Sequence, residues 1–287
     1  MDFNGGRHVK LEDGAERYEE VIKDRTISVF THGPRSKKAI KNIDEKLAKF
    51  IKKNNINVYP HASYFTHIMK SDKGDEHLSD QLESCKMLHA KGFVVHVDKT
   101  ESDQIAKRMS EVKPIIERHG VPLFIEAPGI KVDPKGKTTY ETPESINRLD
   151  EKIRSKGLNH EIHFKHCIDT AHLWAMGQDI STYDAMKEWL DGIEDVNCIG
   201  LFHINGSKNE CGAGKDKHAI PMSELDLMWG KLNFKDTGFK YILEFAKEHD
   251  IPFILEINRD SKNTDEDNKR DEEWTKTTIK LIKKIYN

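Results

Sequence analysis

The chain has 287 residues, 36% of them hydrophobic and 33% charged, with a formal net charge of −3. This length fits one α/β barrel of roughly 250 residues, and the charge gives no general surplus for binding a polyanion. Four scattered cysteines without a CxxC pair, no apolar run near the roughly 20 residues that cross a bilayer, and no signal-like apolar stretch after Met1 lead to the expectation of a reduced intracellular protein.

In chain order, Gly6 to Lys10 is a short strand candidate, followed by an amphipathic helix over Ala15–Lys23. Ile27–Thr31 reads as a second strand ended by His-Gly-Pro-Arg35, and a charged helix follows over about Lys37–Asn54. Between Thr31 and Lys53 eight basic residues face two acidic ones, and most of that helix is expected to be a solvated face. Val58–His61 is the third strand, with a helix through Leu78–Ala90. Phe93–Val97 is the fourth, with a helix over Asp103–Arg118, and Val121–Glu126 the fifth, with a helix over Pro143–Lys156. The sixth strand has apolar beats at Ile162, Phe164 and Ile168 and ends at Asp169. Asp169-Thr170 before an apolar stretch also fits a helix N-cap, so two readings stand there. A helix over Tyr183–Ile193 leads to the seventh strand, Cys198–Ile204. A long glycine-bearing loop and a helix over Phe239–Glu248 then lead to the eighth, Ile251–Ile257. Asp260–Glu273 reads as a solvated surface loop, and a last helix runs to Tyr286.

Eight apolar strands alternating with helices predict a parallel sheet covered on both faces, closed as a (β/α)8 barrel, in one α/β domain spanning 1–287. Active sites of such barrels lie at the C-terminal ends of the strands. There the sequence places His61, His96, Glu126, Asp169 with His172, His203 and Glu256, and the loop after strand seven adds Asp216 and His218. A lone histidine is ordinarily structural, but six strand ends finishing in His, Asp or Glu are not explained by apolar strand composition. Five imidazoles and four carboxylates without cysteine suit zinc best, with manganese or iron as alternatives at a position. Nine ligands exceed one tetrahedral ion and suit three if one carboxylate bridges. Such a cluster polarises a phosphoryl oxygen and activates water.

The stretches His61–Tyr64, Cys167–His172, Phe202–Lys208, Asp216–His218 and Leu255–Asn258 resemble those of the endonuclease IV family, zinc-dependent apurinic/apyrimidinic (AP) endonucleases on a xylose isomerase-like barrel. The resemblance runs from about His8 to Asn258, with the last helix continuing toward 287. It implies one zinc on His61, His96 and Glu126, and a second on Glu126, Asp169, His203 and Glu256. A third falls to His172, Asp216 and His218, which gives three zinc per chain, with Glu126 and Glu256 counted as catalytic. It further implies duplex DNA with abasic sites as substrate, hydrolysed 5′ to the lesion to leave a 3′-hydroxyl and a 5′-deoxyribose phosphate. A 3′-phosphodiesterase or 3′-phosphatase side activity would accompany it. Arg35 and Tyr64, expected on the metal rim, match family positions that enter the DNA, and Lys208 and Lys217 are expected to face it too.

Some positions depart from the family pattern. Asn205-Gly206 stands where the family has Asn-Asp, Asp216-Lys217-His218 where it has Asp-Arg-His, and Glu126-Ala127 where it has Glu-Asn. Ala219–Leu225 replaces a glycine-rich stretch. None removes a ligand, and the drift suggests a divergent member, viral origin included. The Cys211–Lys215 loop lacks the context of a P-loop and is read as a flexible backbone approach to DNA. Trp174, Trp189 and Trp229 are read as packing residues. The expectation is therefore a monomeric DNA-repair hydrolase without a membrane partner, with nucleus, cytoplasm or a viral factory as its compartment. Its rivals are a sugar isomerase or epimerase on the same barrel and a non-catalytic lesion-binding protein.

Overall fold

A computed structural model of the chain describes residues 4–9, 25–32, 40, 43–63, 66, 68–69, 73–97, 101–127, 141–256 and 264–286. Its strands are β1 (Gly5–His8), β2 (Thr26–Ser28), β3 (Asn57–Val58), β4 (Phe93–His96), β5 (Leu123–Glu126), β6 (Phe164–Asp169), β7 (Ile199–His203), β8 (Gly206–Ser207), β9 (His218–Ala219) and β10 (Phe253–Leu255). Among the described residues the helices are α1 (Glu45–Lys53), α2 (Lys73–Met87), α3 (Ser102–His119), α4 (Pro143–Arg154), α5 (Thr170–Ala175), α6 (Tyr183–Asp191), α7 (Gly238–Glu248) and α8 (Asp265–Tyr286). Eight strands form one parallel sheet in the order β3-β2-β1-β10-β7-β6-β5-β4. The ends of that row meet beyond β3, where Val94 N–H donates to Pro60 O and Ala62 N–H to Val94 O, both at 2.8 Å. These bonds close the barrel, and β8 and β9 form a small antiparallel hairpin above it.

The helices start where local chemistry caps them. Asp44 accepts from Leu47 N–H to begin α1, Thr142 and Ser145 form a reciprocal capping box with Pro143 at the first turn of α4, and Thr182 and Thr237 cap α6 and α7. Gly120 ends α3 in the left-handed conformation at φ 66°. Leu47 and Ile51 of α1 pack with Ile27, Val29 and Val58 in a small cluster of their own, while α3, α4, α6 and α7 pack on the outside of the barrel in one large core that includes Phe93, Phe164, Phe202, Phe239 and Phe253. Trp174, Trp189 and Trp229 are buried in it as expected.

Three expectations are corrected. Strand six begins at Phe164, and Ile162 is 48% exposed in a turn, its N–H held by Asn159 Oδ1. The Asp260–Glu273 stretch is helical from Asp265 onward. Thr264 and Asp267 cap each other's backbone N–H groups, and Lys276 pairs with Glu272 one turn away, so its charges stabilise a helix. That helix buries Thr278, Ile282 and Tyr286. The helix expected from about Lys37 begins only at Glu45, because Asp44 is extended and caps it, and Ile40 and Ile43 before it are not helical. The Ala15–Lys23 helix lies outside the described residues.

The barrel interior positions the site. Tyr59, Val94, Phe124, Cys167, Leu201 and Ile254 form a separate apolar cluster, one residue from each of six consecutive staves. Side chains alternate faces along a strand, so the residue two further on points the same way. Those residues are His61, His96, Glu126, Asp169, His203 and Glu256. In β7 this holds because of a bulge: His166 pairs with Ile199 but Cys167 with Leu201, which skips Gly200. Ile199 thereby packs outward while Leu201 and His203 face in. A side chain at Gly200 would sit 2.7 Å from the Phe124 ring.

A candidate metal centre

Glu126, almost fully buried on β5, is the hub. Its Oε2 lies 3.1 Å from His61 Nε2 and 2.9 Å from His96 Nε2, and its Oε1 lies 2.9 Å from His203 Nδ1. One carboxylate therefore faces two groups of partners through its two oxygens. On the second side, His203 Nδ1 is 3.8 Å from Asp169 Oδ2 and 3.6 Å from Glu256 Oε2. On the third, Asp216 joins His172 Nε2 at 3.3 Å and His218 Nε2 at 2.8 Å. Donor atoms of His61, His96 and Glu126, of Asp169, His203 and Glu256, and of Asp169, His172 and His218 lie within 4.8 Å of one another in each set. The structure thus brings all nine expected residues together. It adds Asp169 as a neighbour of the third set as well as the second.

Asp169 resolves the choice between strand end and helix cap, because it is both. As the last residue of β6 it turns Oδ2 toward His203 and His218, while Oδ1 accepts from Ala171 and His172 N–H and starts α5. That short helix carries His172 back to the rim. Two histidines have their tautomers set by backbone carbonyls. His61 Nδ1 donates to Ala62 O and His172 Nδ1 to Ala127 O, both at 2.8 Å, which leaves each Nε2 lone pair for the centre.

Burial opposes charge throughout the cluster, and the neighbours decide the outcome. Burial pushes Glu126 up, but His203 and His96 outweigh it and hold the carboxyl well below its ordinary range. Glu256 is held at about 2 against burial by His203 and His218, and Asp216 is held low by hydrogen bonds from His172 and His218. At Asp169 burial wins and the carboxyl is raised. Against burial, Asp169 and Asp216 raise His172 well above its ordinary value and His218 to about 9, and Cys167, Glu256 and Glu126 raise His203. Four converging carboxylates thus draw positive charge onto their imidazoles. Divalent cations would supply that charge more densely, and a donor set of imidazole nitrogens and carboxylate oxygens suits them.

Three residues that hold the ligands escaped the sequence reading. Asn205 lies two positions beyond His203. Its amide donates to Asp169 Oδ2 at 2.8 Å and Glu256 Oε2 at 3.2 Å, and its Oδ1 accepts from Glu256 N–H. Thr170 Oγ1 accepts from Asn205 N–H at 2.8 Å. Asp226 accepts from the N–H groups of Ser207, Met222 and Met228 and so pins the hairpin that carries His218. Period-two spacing could have found Asn205, whereas nothing local marks Asp226. The Gly206 departure also gains a reason, since a side chain there would meet the Asp226 carboxylate at 2.5 Å.

Lys208 and Lys217 are exposed on this hairpin, with Lys208 N–H donating to Lys217 O. Lys208 lines, with His218 and Glu256, a groove walled by Arg270 and Trp274 of α8. The Cys211–Lys215 loop is not a free backbone edge. Gly212 and Gly214, both at positive φ, donate to Trp174 O and Ala175 O at the end of α5. Arg35 and Tyr64 lie outside the described residues.

Comparison with known proteins places the fold and the family. The profile of the family described as "Xylose isomerase-like TIM barrel" matches residues 7–285. A probable AP endonuclease of African swine fever virus is 32% identical over 245 residues, covering 82% of this chain and 79% of the relative. The crystal structure of "AsfvAP:AG" superposes with a TM-score of 0.83 at 26% identity over 99% of both chains. Endonuclease IV from Thermus thermophilus shares the fold, with a TM-score of 0.69 at 18% identity over 96% of this chain and 99% of that one. The chain belongs to the xylose isomerase-like TIM barrel family and, within it, to the AP endonucleases of the endonuclease IV type. It is thus an enzyme of the hydrolase class. No described helix is long and apolar enough to cross a membrane.

Proposed function

We propose that the chain hydrolyses the phosphodiester bond on the 5′ side of abasic sites in duplex DNA, leaving a 3′-hydroxyl and a 5′-deoxyribose phosphate. The observation that carries this reading is the inward layer of six strand-end ligands joined by His172, Asp216 and His218 around the buried hub Glu126. His61, His96 and Glu126 would hold one zinc ion. Glu126, Asp169, His203 and Glu256 would hold a second, and His172, Asp216 and His218 a third, with manganese or iron as alternative occupants. Bound there, the ions would polarise a phosphoryl oxygen, lower the pKa of a water and stabilise the leaving oxygen.

The chain's own residues prepare that chemistry. His61 and His172 are fixed as Nε2 donors by carbonyls. Asn205 holds Asp169 and Glu256 at a set separation, and the apolar layer of Tyr59, Phe124 and Leu201 excludes water from beneath. Lys208 and Lys217 stand beside the mouth where a DNA backbone would pass, and Arg35 and Tyr64 are assigned to the gap left by an extruded nucleotide. We read the protein as a monomer acting inside the cell, with 3′-end trimming as a side activity. A sugar isomerase or epimerase would need one or two ions and would leave the third set without a use, and a purely lesion-binding protein would not need nine ligands. Incubating the protein with a duplex bearing one abasic site, with and without a strong chelator, tests the proposal. Chelator-sensitive 5′ incision is expected; turnover of free sugars without incision would replace this reading with the isomerase.

A further inference from the structure

The fifteen histidines are not all absorbed by the mouth of the barrel. A second mixed donor set lies on the other side of the barrel wall. His166 stands on β6 three residues before Asp169 and so points to the opposite face, toward α4. It is fully buried, and its Nε2 lies 3.4 Å from Oδ1 of Asp150, a buried residue of α4. His160, in the turn before β6, places Nε2 2.5 Å from the same oxygen, while Arg154 Nε holds the other carboxylate oxygen at 2.7 Å. Cys198, buried in the short turn of helix that leads into β7, completes the group. Donor atoms of Asp150, His166 and Cys198 all lie within 4.8 Å of one another.

From this arrangement the geometry points to a second, structural metal site in which Asp150, His166 and Cys198, with His160 at the fourth corner, hold one zinc-like divalent cation. Ligand bonds of about 2.0–2.3 Å around a tetrahedral ion put donor atoms roughly 3–4 Å apart, a spacing close to that of Asp150, His166 and Cys198, whereas His160, bonded to the same Asp150 oxygen, would turn toward the other two. A closed set of four protein donors, one a thiolate, is the pattern of a structural ion, whereas the mouth of the barrel has no thiol in its nine-residue set. The surroundings make the polar cluster expensive otherwise, since Phe164, Ile146, Leu149, Ile153 and Ile199 are all buried nearby in the same core. Protonation states agree with the site. Burial holds His166 low and neutral against the pull of Asp150, and Asp150 stays ionised despite burial through its hydrogen bonds from His160 and His166. At Cys198 burial pushes the thiol up and opposes a thiolate, a cost that a bound cation would have to outweigh as the thiol proton passes to solvent. The ion would fasten α4 to the adjoining strands β6 and β7, behind the wall from which Asp169 and His203 project.

Cobalt(II) added to the metal-stripped full-length chain separates this site from the mouth of the barrel. Only a thiolate ligand produces an intense near-ultraviolet sulfur-to-cobalt charge-transfer band; nitrogen and oxygen ligands give weak visible bands. The expected result is a charge-transfer band that saturates at one cobalt per chain, persists in Cys167→Ser, and is lost in Cys198→Ser. His160→Gln, which keeps the thiol and sits at the half-open edge, should shift the band and weaken cobalt binding at least tenfold, and it serves if Cys198→Ser does not fold. Absence of the band in the wild type would overturn the site, as would its loss in Cys167→Ser with retention in Cys198→Ser. Abasic incision can fail without touching this result, because the band is read without DNA.

Discussion

The two walls of the candidate metal centre are built differently. On one, His61, His96, Glu126, Asp169, His203 and Glu256 stand at the ends of barrel strands. There, neighbours are locked in register: His96 beside Glu126, Asp169 beside His203. On the other, His172 rides a six-residue helix and Asp216 and His218 hang from the β8–β9 hairpin, whose position depends on Asp226. Glu126 is 1% exposed, whereas the Asp216 side chain is 37% exposed. Rigid strands hold a site more tightly than loops do. The strand-built wall should therefore keep its ions, and the loop-built wall should surrender its ion first.

The largest effect should come from the hub. Glu126→Gln keeps the side-chain volume but removes the charge that faces His61, His96 and His203 at about 3 Å. Incision should fall by about 10³-fold or more, a barrier increase of about 4 kcal/mol, and elemental analysis should find more than one zinc missing per chain. Retention of full metal content would show that Glu126 does not join two ions.

Next comes the loop-built wall. His218→Ala should deplete one ion selectively and slow incision roughly 10- to 100-fold, and dialysis of the unaltered protein against a mild chelator should remove the same ion first. If the ions leave together, or if the His61 side empties first, the contrast between the walls is wrong.

What the sequence made legible follows the same division. The strand-end ligands could be read because a polar residue closing an apolar run is conspicuous, and the barrel fixes which end is the mouth. Their common inward orientation could not be read, because β5 and β7 are buried on both faces and show no alternation. The Gly200 bulge that turns His203 inward has no local signature beyond the glycine itself. Asp226 was missed for a different reason. It acts on Ser207, 19 positions away in the chain, a contact set by tertiary closure. The Thr264–Asp267 cap, by contrast, was available in the sequence and outweighed by the high charge that followed it.

A smaller, pH-dependent effect should sit at that loop pin. Burial pushes the Asp226 carboxyl up to about 6, against the backbone N–H groups that favour its ionised form. The folded chain then binds this proton more tightly than the unfolded chain, whose Asp titrates near 4. The stabilisation is fully present below the unfolded value and is lost as pH rises through about 6. Across pH 4 to 7 the contribution changes by on the order of 2 kcal/mol. Denaturant midpoints of the wild type and Asp226→Asn, compared at both pH values, isolate it, since other groups titrate alike in both proteins. Parallel pH profiles would mean that Asp226 stays ionised and anchors the hairpin through charge.

The smallest effect concerns Lys208 and Lys217, which are exposed and adjacent across the hairpin, with only Lys208 lining the groove beside His218 and Glu256. An exposed lysine near a DNA backbone contributes through released counterions, and each phosphate contact adds about 0.9 to the slope of log affinity against log salt. Replacing both with alanine should therefore flatten that slope by about 1.8 and weaken binding alike on abasic and intact duplex, since phosphates carry no lesion information. Metal content should not change, because neither side chain belongs to the nine-residue donor set. Binding isotherms at several salt concentrations on both duplexes measure this directly. A loss confined to the abasic duplex would place these lysines at the lesion itself. An unchanged slope would mean that the DNA passes on the other side of the mouth, away from the loop-built wall.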